Sequence, residues 1–132
     1  MASKKKTIFL VEDDLTIIDV YKTAFKLAGI DFEVMALGRQ VIDRIKDIQC
    51  DKAEKPSLVL LDLILPDMNG TEILKEIKGN EKTKDITVFL LSNYTNDESL
   101  QTDGIKPDKF ILKAGITPTQ LIKLIEIQLK KS

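Results

Sequence analysis

Short, continuously apolar runs alternate along this chain with stretches whose apolar residues recur at helical spacing. That alternation limits the possible folds more than any other feature. The runs are Thr7-Ile8-Phe9-Leu10-Val11, Ser57-Leu58-Val59-Leu60-Leu61, Thr87-Val88-Phe89-Leu90-Leu91 and Lys109-Phe110-Ile111-Leu112. Apolar residues at successive positions suit strands buried on both faces. A weaker run, Phe32-Glu33-Val34-Met35-Ala36, reads as a more exposed strand.

Helical stripes lie between the runs. Ile17, Tyr21, Ala24, Phe25 and Ala28 form the first, with Gly29 as its C-terminal stop. Val41, Ile42, Ile45 and Ile48 form the second, and Ile73, Leu74 and Ile77 the third, before Gly79. The segment 95–104 carries one large apolar residue, Leu100, and reads as a short, poorly anchored helix. The last helix has the clearest start: Thr117 caps it, Pro118 fits its first turn and Gln120 completes a capping box. Its stripe is Leu121, Ile122, Leu124, Ile125 and Leu129, and Lys130-Lys131 suit the negative end of the helix dipole.

Strand–helix repeated five times, with short connections, predicts an α/β chain with five parallel strands and helices on both faces. The common order for such a sheet is 2-1-3-4-5, with a switch point between strands 1 and 3. With 132 residues the chain reads as one domain, its core about 7–129. The opening Met1-Ala2-Ser3-Lys4-Lys5-Lys6 reads as a flexible, solvated basic leader. The apolar run after it is too short for a signal peptide, and no segment is long enough to span a bilayer. The expected location is a reducing cytoplasm.

Composition narrows the chemistry. The chain has no histidine, which removes histidine-based triads, histidine-ligated zinc and any phosphohistidine formed within the chain. A lone cysteine, Cys50, excludes an internal disulfide or a cysteine metal site. Twenty basic residues against 21 acidic ones give a net charge of −1, with no electrostatic footprint for nucleic acid. Carboxylates, hydroxyls, amines and backbone remain.

Ligands of such sheets bind beyond the carboxyl ends of the strands. This chain places Glu12-Asp13-Asp14 after strand 1, Asp62 after strand 3, Ser92-Asn93 after strand 4 and Lys113 after strand 5. Carboxylates brought together raise one another's pKa values or bind a cation. Hard oxygen ligands at an open edge favour magnesium. An ion beside Asp62 would neutralise an incoming phosphoryl group, with Ser92 donating to it and Lys113 meeting a further oxygen. Asp62 is then the nucleophile, since aspartate forms acyl phosphates. A plain helix-dipole role could explain Asp14 alone. It explains Asp62 badly, because Asp62 interrupts the apolar stretch from Leu58 to Leu65. Pro66-Asp67-Met68-Asn69-Gly70 reads as a turn and a helix start, with Asn69 the cap and Glu72 three residues on.

From about Thr7 to Leu129 the sequence resembles a response-regulator receiver domain, the phosphoacceptor module of two-component signalling, of the stand-alone chemotaxis-regulator type. The resemblance rests on Ile8 to Asp14, on Leu58 to Gly70, and on Ser92, Phe110 and Lys113 in order and spacing. It implies a flavodoxin-like (βα)5 doubly wound sandwich. It also implies that Asp62 accepts the phosphoryl group. Asp13 would hold Mg2+ directly and Glu12 through water, with Asp62 and the Ile64 carbonyl as further ligands. Ser92 and Lys113 would contact phosphoryl oxygens. Ser92 would move toward the phosphate and Phe110 would repack inward, altering the face built by 95–104, the last strand and the last helix. The implied partners are a histidine kinase or phosphotransfer protein and an unknown downstream protein, with the chain a monomer or weak dimer.

Three features depart from the family pattern. Ala114-Gly115 follows Lys113 where the family usually has proline, often after a cis bond. Without proline a cis bond costs about 2.5–4 kcal/mol, so a trans bond is expected. Asn93 stands where the family prefers a small residue, narrowing access to Asp62, and Ile64 and Tyr94 border the approach of attacking water. The segment 95–104 is thin in apolar residues. The sequence ends after the last helix, which gives the expectation of a stand-alone module without a DNA-binding domain. The alternative is a pseudo-receiver that binds a partner without phosphorylation. An aspartate-nucleophile phosphatase ranks lower, because Ile64 stands where a second carboxylate is needed. A flavin binder ranks lower still, lacking a phosphate-cradling loop after strand 1. No turnover of an external substrate is expected.

Overall fold

In the computed structural model, residues 6–93 and 104–131 are described. Of the expected helix at 95–104 only Gly104 is among them; the rest of it, Tyr94 and leader residues 1–5 lie outside the described residues. The order is β1 (Thr7–Val11), α1 (Leu15–Ala28), β2 (Asp31–Met35), α2 (Gly38–Gln49), β3 (Leu58–Asp62), α3 (Gly70–Lys78), β4 (Thr87–Ser92), β5 (Lys109–Leu112), a 3-10 turn (Lys113–Gly115) and α4 (Pro118–Lys131). The strands form one sheet in the order β2-β1-β3-β4-β5, each pair parallel. No described helix is long and apolar enough to cross a membrane.

Alternation along each strand builds two apolar layers. Phe9, Val11, Val59, Leu61, Val88 and Leu90 face α2 and α3, meeting Val41, Ile45, Ile73 and Ile77. Ile8, Leu10, Leu58, Leu60, Phe89 and Leu91 face α1 and α4, meeting Tyr21, Phe25, Leu121 and Ile125. Each fully buried Leu, Ile or Phe contributes about 1.5–3 kcal/mol relative to exposure. The continuous apolar runs thus reflect burial from both sides.

Local signals fix the helix ends. Asp14 accepts from the amides of Thr16 and Ile17 at 2.9 and 3.3 Å. Gly29 ends α1 at φ 71°, the left-handed region that favours glycine. The expected box at α4 is present: the Thr117 amide donates to Gln120 Oε1 at 2.9 Å, and the Gln120 amide donates to Thr117 Oγ1 at 3.1 Å. Lys6 is exposed, and its ammonium donates to the Leu129 carbonyl in the last turn of α4. Three strands differ in their boundaries from the sequence reading. β2 starts and ends one residue early, at Asp31 and Met35, while β3 starts one residue late, at Leu58, and runs to Asp62, and β4 runs to Ser92. Cross-strand pairing causes the extensions, with Asp62 opposite Leu91 and Ser92 opposite Leu112. Both polar residues are therefore held by rigid ladders.

Candidate functional site

The carboxyl edge of β1, β3, β4 and β5 opens into a cavity of about 400 Å³. Glu12, Asp13, Asp62, Ile64, Ser92 and Lys113 all line it. Phe110 does not. It is half-buried on β5 and lines a separate groove of about 590 Å³ with Ile116 and Leu124 of the adjoining turn and α4.

Each side chain is placed by its own element. The Glu12 amide, just past β1, donates to the Met35 carbonyl at 3.1 Å, which holds the first acid against β2. Glu12 is buried and Asp13 exposed. The Asp13 amide donates to Glu12 Oε2 at 3.1 Å, fixing the orientation of that carboxylate. Asp62 ends β3, and the Ile64 amide points at its Oδ1 from 3.4 Å. Ser92 ends β4 and is 1% exposed. Asn69 caps α3, accepting from the Thr71 amide at 2.9 Å, and Glu72 closes the box. Gly70 follows Asn69 because a Cβ there would lie 2.3 Å from the Asp62 carbonyl oxygen.

Lys113 bridges the acids, its Nζ 2.7 Å from Glu12 Oε1 and 3.1 Å from Asp62 Oδ1. Every described peptide bond is trans, as expected for Lys113-Ala114. The 3-10 turn at Lys113–Gly115 starts the side chain from the end of β5, beside Ser92, and it reaches both carboxylates without a proline.

Charge in the pocket is unbalanced. Carboxylate oxygens of Glu12, Asp13 and Asp62 all lie within 4.8 Å of one another. Among the described residues these three acids, with Asp14 also lining the pocket, face the Lys113 ammonium. Burial, with the Glu12 carboxylate adding to it, pushes the Asp62 carboxyl up to about 7, against the pull of Lys113. Burial also draws on Lys113 in the direction of losing its proton. The Glu12 hydrogen bond and the two negative charges outweigh that, so the ammonium is held above its ordinary value. An all-oxygen donor set with surplus negative charge and an open side suits a hard divalent cation such as magnesium.

The sequence reading missed the role of Asp67. Leu37 precedes α2 and has no capping group, so the helix takes its acceptor from elsewhere. The Gly38 and Arg39 amides donate to the two Asp67 oxygens at 2.8 and 2.9 Å. An uncapped helix start beside an acidic loop at the same sheet edge is the signal that could have found it.

The Response regulator receiver domain family model matches residues 8–126. The phosphate regulon transcriptional regulatory protein PhoB of Pseudomonas aeruginosa is 27% identical over 128 residues, covering 96% of this chain and 53% of that protein. The chain spans about a fifth of the length of one curated relative it matches and about half of another. Among solved structures, the phosphorylated cyanobacterial phytochrome response regulator RcpA superposes with a TM-score of 0.79 at 28% identity, covering 98% of this chain and 97% of that one. The receiver domain of the sensor histidine kinase PA1611 from Pseudomonas aeruginosa, solved with magnesium in its active-site cleft, shares the fold at a TM-score of 0.78 and 17% identity, covering 96% and 99% of the two chains. Receiver domains are signalling domains of two-component systems rather than enzymes that turn over an outside substrate. By the match of its sequence and by its fold, the chain belongs to the response regulator receiver domain family.

Proposed function

We propose that this chain is a phosphoacceptor in a two-component phosphorelay, with Asp62 the residue phosphorylated. One juxtaposition carries the reading: the Asp62 carboxylate lies within 4.8 Å of oxygens from Glu12 and Asp13, with the Lys113 ammonium 3.1 Å away. An Asp62 oxygen attacks the phosphorus of a phosphohistidine on a partner kinase or phosphotransfer protein. The P–O bond forms as the P–N bond breaks, the leaving imidazole takes up a proton, and the product is an acyl phosphate. The donor histidine belongs to the partner, since this chain has none.

Asp13 directly, Glu12 through water, Asp62 and the Ile64 carbonyl would hold a magnesium ion, which when bound neutralises charge between the acids and the phosphoryl group. Lys113 starts shared between Glu12 and Asp62 and follows the phosphoryl oxygens, the stronger acceptors. The Ser92 hydroxyl donates to another of these oxygens. The new charge biases a two-state element in which Ser92 and Phe110 rearrange. The groove that Phe110 shares with Leu124 of α4 is the surface through which a downstream protein would sense the change. Water attack on the acyl phosphate later resets Asp62.

Residues 7–129 act in this reading as a single receiver unit in the cytoplasm, as a monomer or weak dimer, with neither nucleic acid nor membrane as a direct ligand. The position of Lys113, on both acids despite Ala114, weighs against the phosphorylation-independent alternative. The test is acetyl phosphate with magnesium, read by intact mass. Wild type gains one phosphate and Asp62→Asn gains none. Undiminished labelling of Asp62→Asn overturns the assignment.

A further inference from the structure

The loop between β3 and α3 is fastened to a helix whose N-cap residue, Leu37, has no side-chain acceptor. Gln40 Oε1 accepts from the Ala36 and Leu37 amides at 3.1 Å each, which leaves the next two amides of α2. Asp67 takes both, one on each carboxylate oxygen, at 2.8 and 2.9 Å. Those backbone donors, Arg39 before Gly38, hold its carboxyl below the usual range. Met68 seats beside this clamp. A Cβ on Gly38 would stand 2.3 Å from Met68 Cγ, so the bare backbone of α2 is what lets the loop approach.

The clamp connects to the pocket through a short, closed loop. The Leu65 amide donates to the Met68 carbonyl at 3.1 Å, and Ile64 pairs with Asn69 in an antiparallel bridge. Ile64 in turn directs its amide at Asp62 Oδ1. The near half of the loop is anchored by Leu63 and Leu65, both buried. Pro66 and Asp67 are exposed, so the far half depends on the carboxylate clamp and on Met68.

We propose that Asp67 is a positioning residue: by pinning the far half of the β3–α3 loop to the first turn of α2, it sets where the Ile64 backbone stands relative to the Asp62 carboxylate. Its consequence for metal affinity rests on the proposed role of the Ile64 carbonyl. A carboxylate is well suited to the task, since it satisfies two first-turn amides at once and complements the helix dipole.

The experiment uses the full chain as wild type, Asp67→Ala, Asp67→Asn and a charge control, Asp43→Asn, which removes an exposed acid that lines the same groove as Asp67 while both clamp amides stay on Asp67. Two readouts are taken. Amide hydrogen exchange in EDTA reports the loop without metal, and calorimetric titration with magnesium chloride reports affinity. Exchange at the Ile64 and Leu65 amides is expected to rise about tenfold in Asp67→Ala. The magnesium Kd is expected to rise about tenfold, at the lower end of what losing an outer-shell partner costs. Asp67→Asn falls between, and Asp43→Asn stays within about twofold on charge grounds alone. Exchange at Ile64 and Leu65 unchanged in both Asp67 variants overturns the proposal, as does an equal rise in Kd for Asp43→Asn. If wild type takes up no magnesium, the phosphoacceptor reading fails, and the metal-free exchange still decides the role of Asp67.

Discussion

The Lys113 ammonium stands 2.7 Å from a carboxylate oxygen of Glu12, a residue 101 positions earlier in the chain. Both side chains are nearly closed to solvent, at 9% and 1% exposure. Removing one member of such a pair leaves a charge stranded in a poor solvent. Lys113→Met is therefore expected to destabilise the metal-free protein by about 3 kcal/mol at pH 8. The deficit should shrink below pH 6, where Asp62 takes up a proton. Urea unfolding at the two pH values checks this, and equal deficits at both would refute it.

Asp62 binds its proton more tightly in the folded protein than in the unfolded chain, with a folded value of about 7 against an ordinary 3.8. Between about pH 4 and pH 7 the folded state thus carries the extra proton. Stability without metal should fall as pH rises through that window and level off above 7, by on the order of a few kcal/mol. Asp62→Asn should lose this slope and be the more stable protein at pH 8. Parallel unfolding curves for the two proteins from pH 4.5 to 8 would contradict it. Magnesium competes with the same proton, so its affinity should strengthen toward pH 8.

Asp13 is the exposed acid of the trio, so its negative charge costs the fold little. Asp13→Asn should weaken magnesium binding at least tenfold. The midpoint of urea unfolding in EDTA should stay where it is. A large shift in that midpoint would mean that Asp13 is structural.

Ser92 is buried at the end of β4 and would meet the phosphoryl group as a hydrogen-bond donor. A hydrogen bond to a charged group is worth about 1.5–3 kcal/mol. Ser92→Ala should accordingly slow labelling by acetyl phosphate on the order of ten- to a hundredfold, while Ser92→Thr keeps most of the rate. Labelling of Ser92→Ala at the wild-type rate would remove Ser92 from the reaction.

Gly70 has backbone, not a yielding side chain, where its Cβ would go. The Asp62 carbonyl oxygen would be 2.3 Å away and the Leu63 Cα 3.1 Å. Gly70→Ala should cost about 1–3 kcal/mol through forced backbone shifts and should disturb Asp62 as well. A thermal melt matching wild type would show that the α3 start can move aside.

Sequence reading works here where the determinants are local or repeat with a fixed period. Strand positions followed from runs such as Val59-Leu60-Leu61, and the caps at Asn69 and Thr117 from spacing of three residues. The meeting of Glu12, Asp62 and Lys113 was readable at one remove, because a parallel sheet brings strand ends to one edge. The direct contact of Lys113 with Glu12 was not readable, since it depends on side-chain reach across the pocket. Asp67 was hidden for another reason. Its partners, Gly38 and Arg39, offer only backbone amides, so the one trace in the sequence is indirect: Leu37, with no capping side chain, at the start of α2. Lys78 is a further case: its ammonium joins the Ile86 carbonyl to Asp108 at 2.8 Å, and that carboxylate also accepts from the Val88 amide. Such clamps tie elements far apart in sequence through geometry alone. Strand ends shifted by a residue at Asp62 and Ser92 because ladder pairing, rather than side-chain polarity, decides where a strand stops.

All four strand pairings being parallel has a consequence for synthesis. No neighbouring pair can be zipped by a tight hairpin, so each waits for a long crossover to close. During translation, Glu12 and Asp62 emerge well before the lysine that quiets them. A nascent chain that has reached only β4 therefore carries the acids without their counterion. Repulsion between them works against premature closure of that edge, and arrival of β5 completes the sheet and brings Lys113 to both acids.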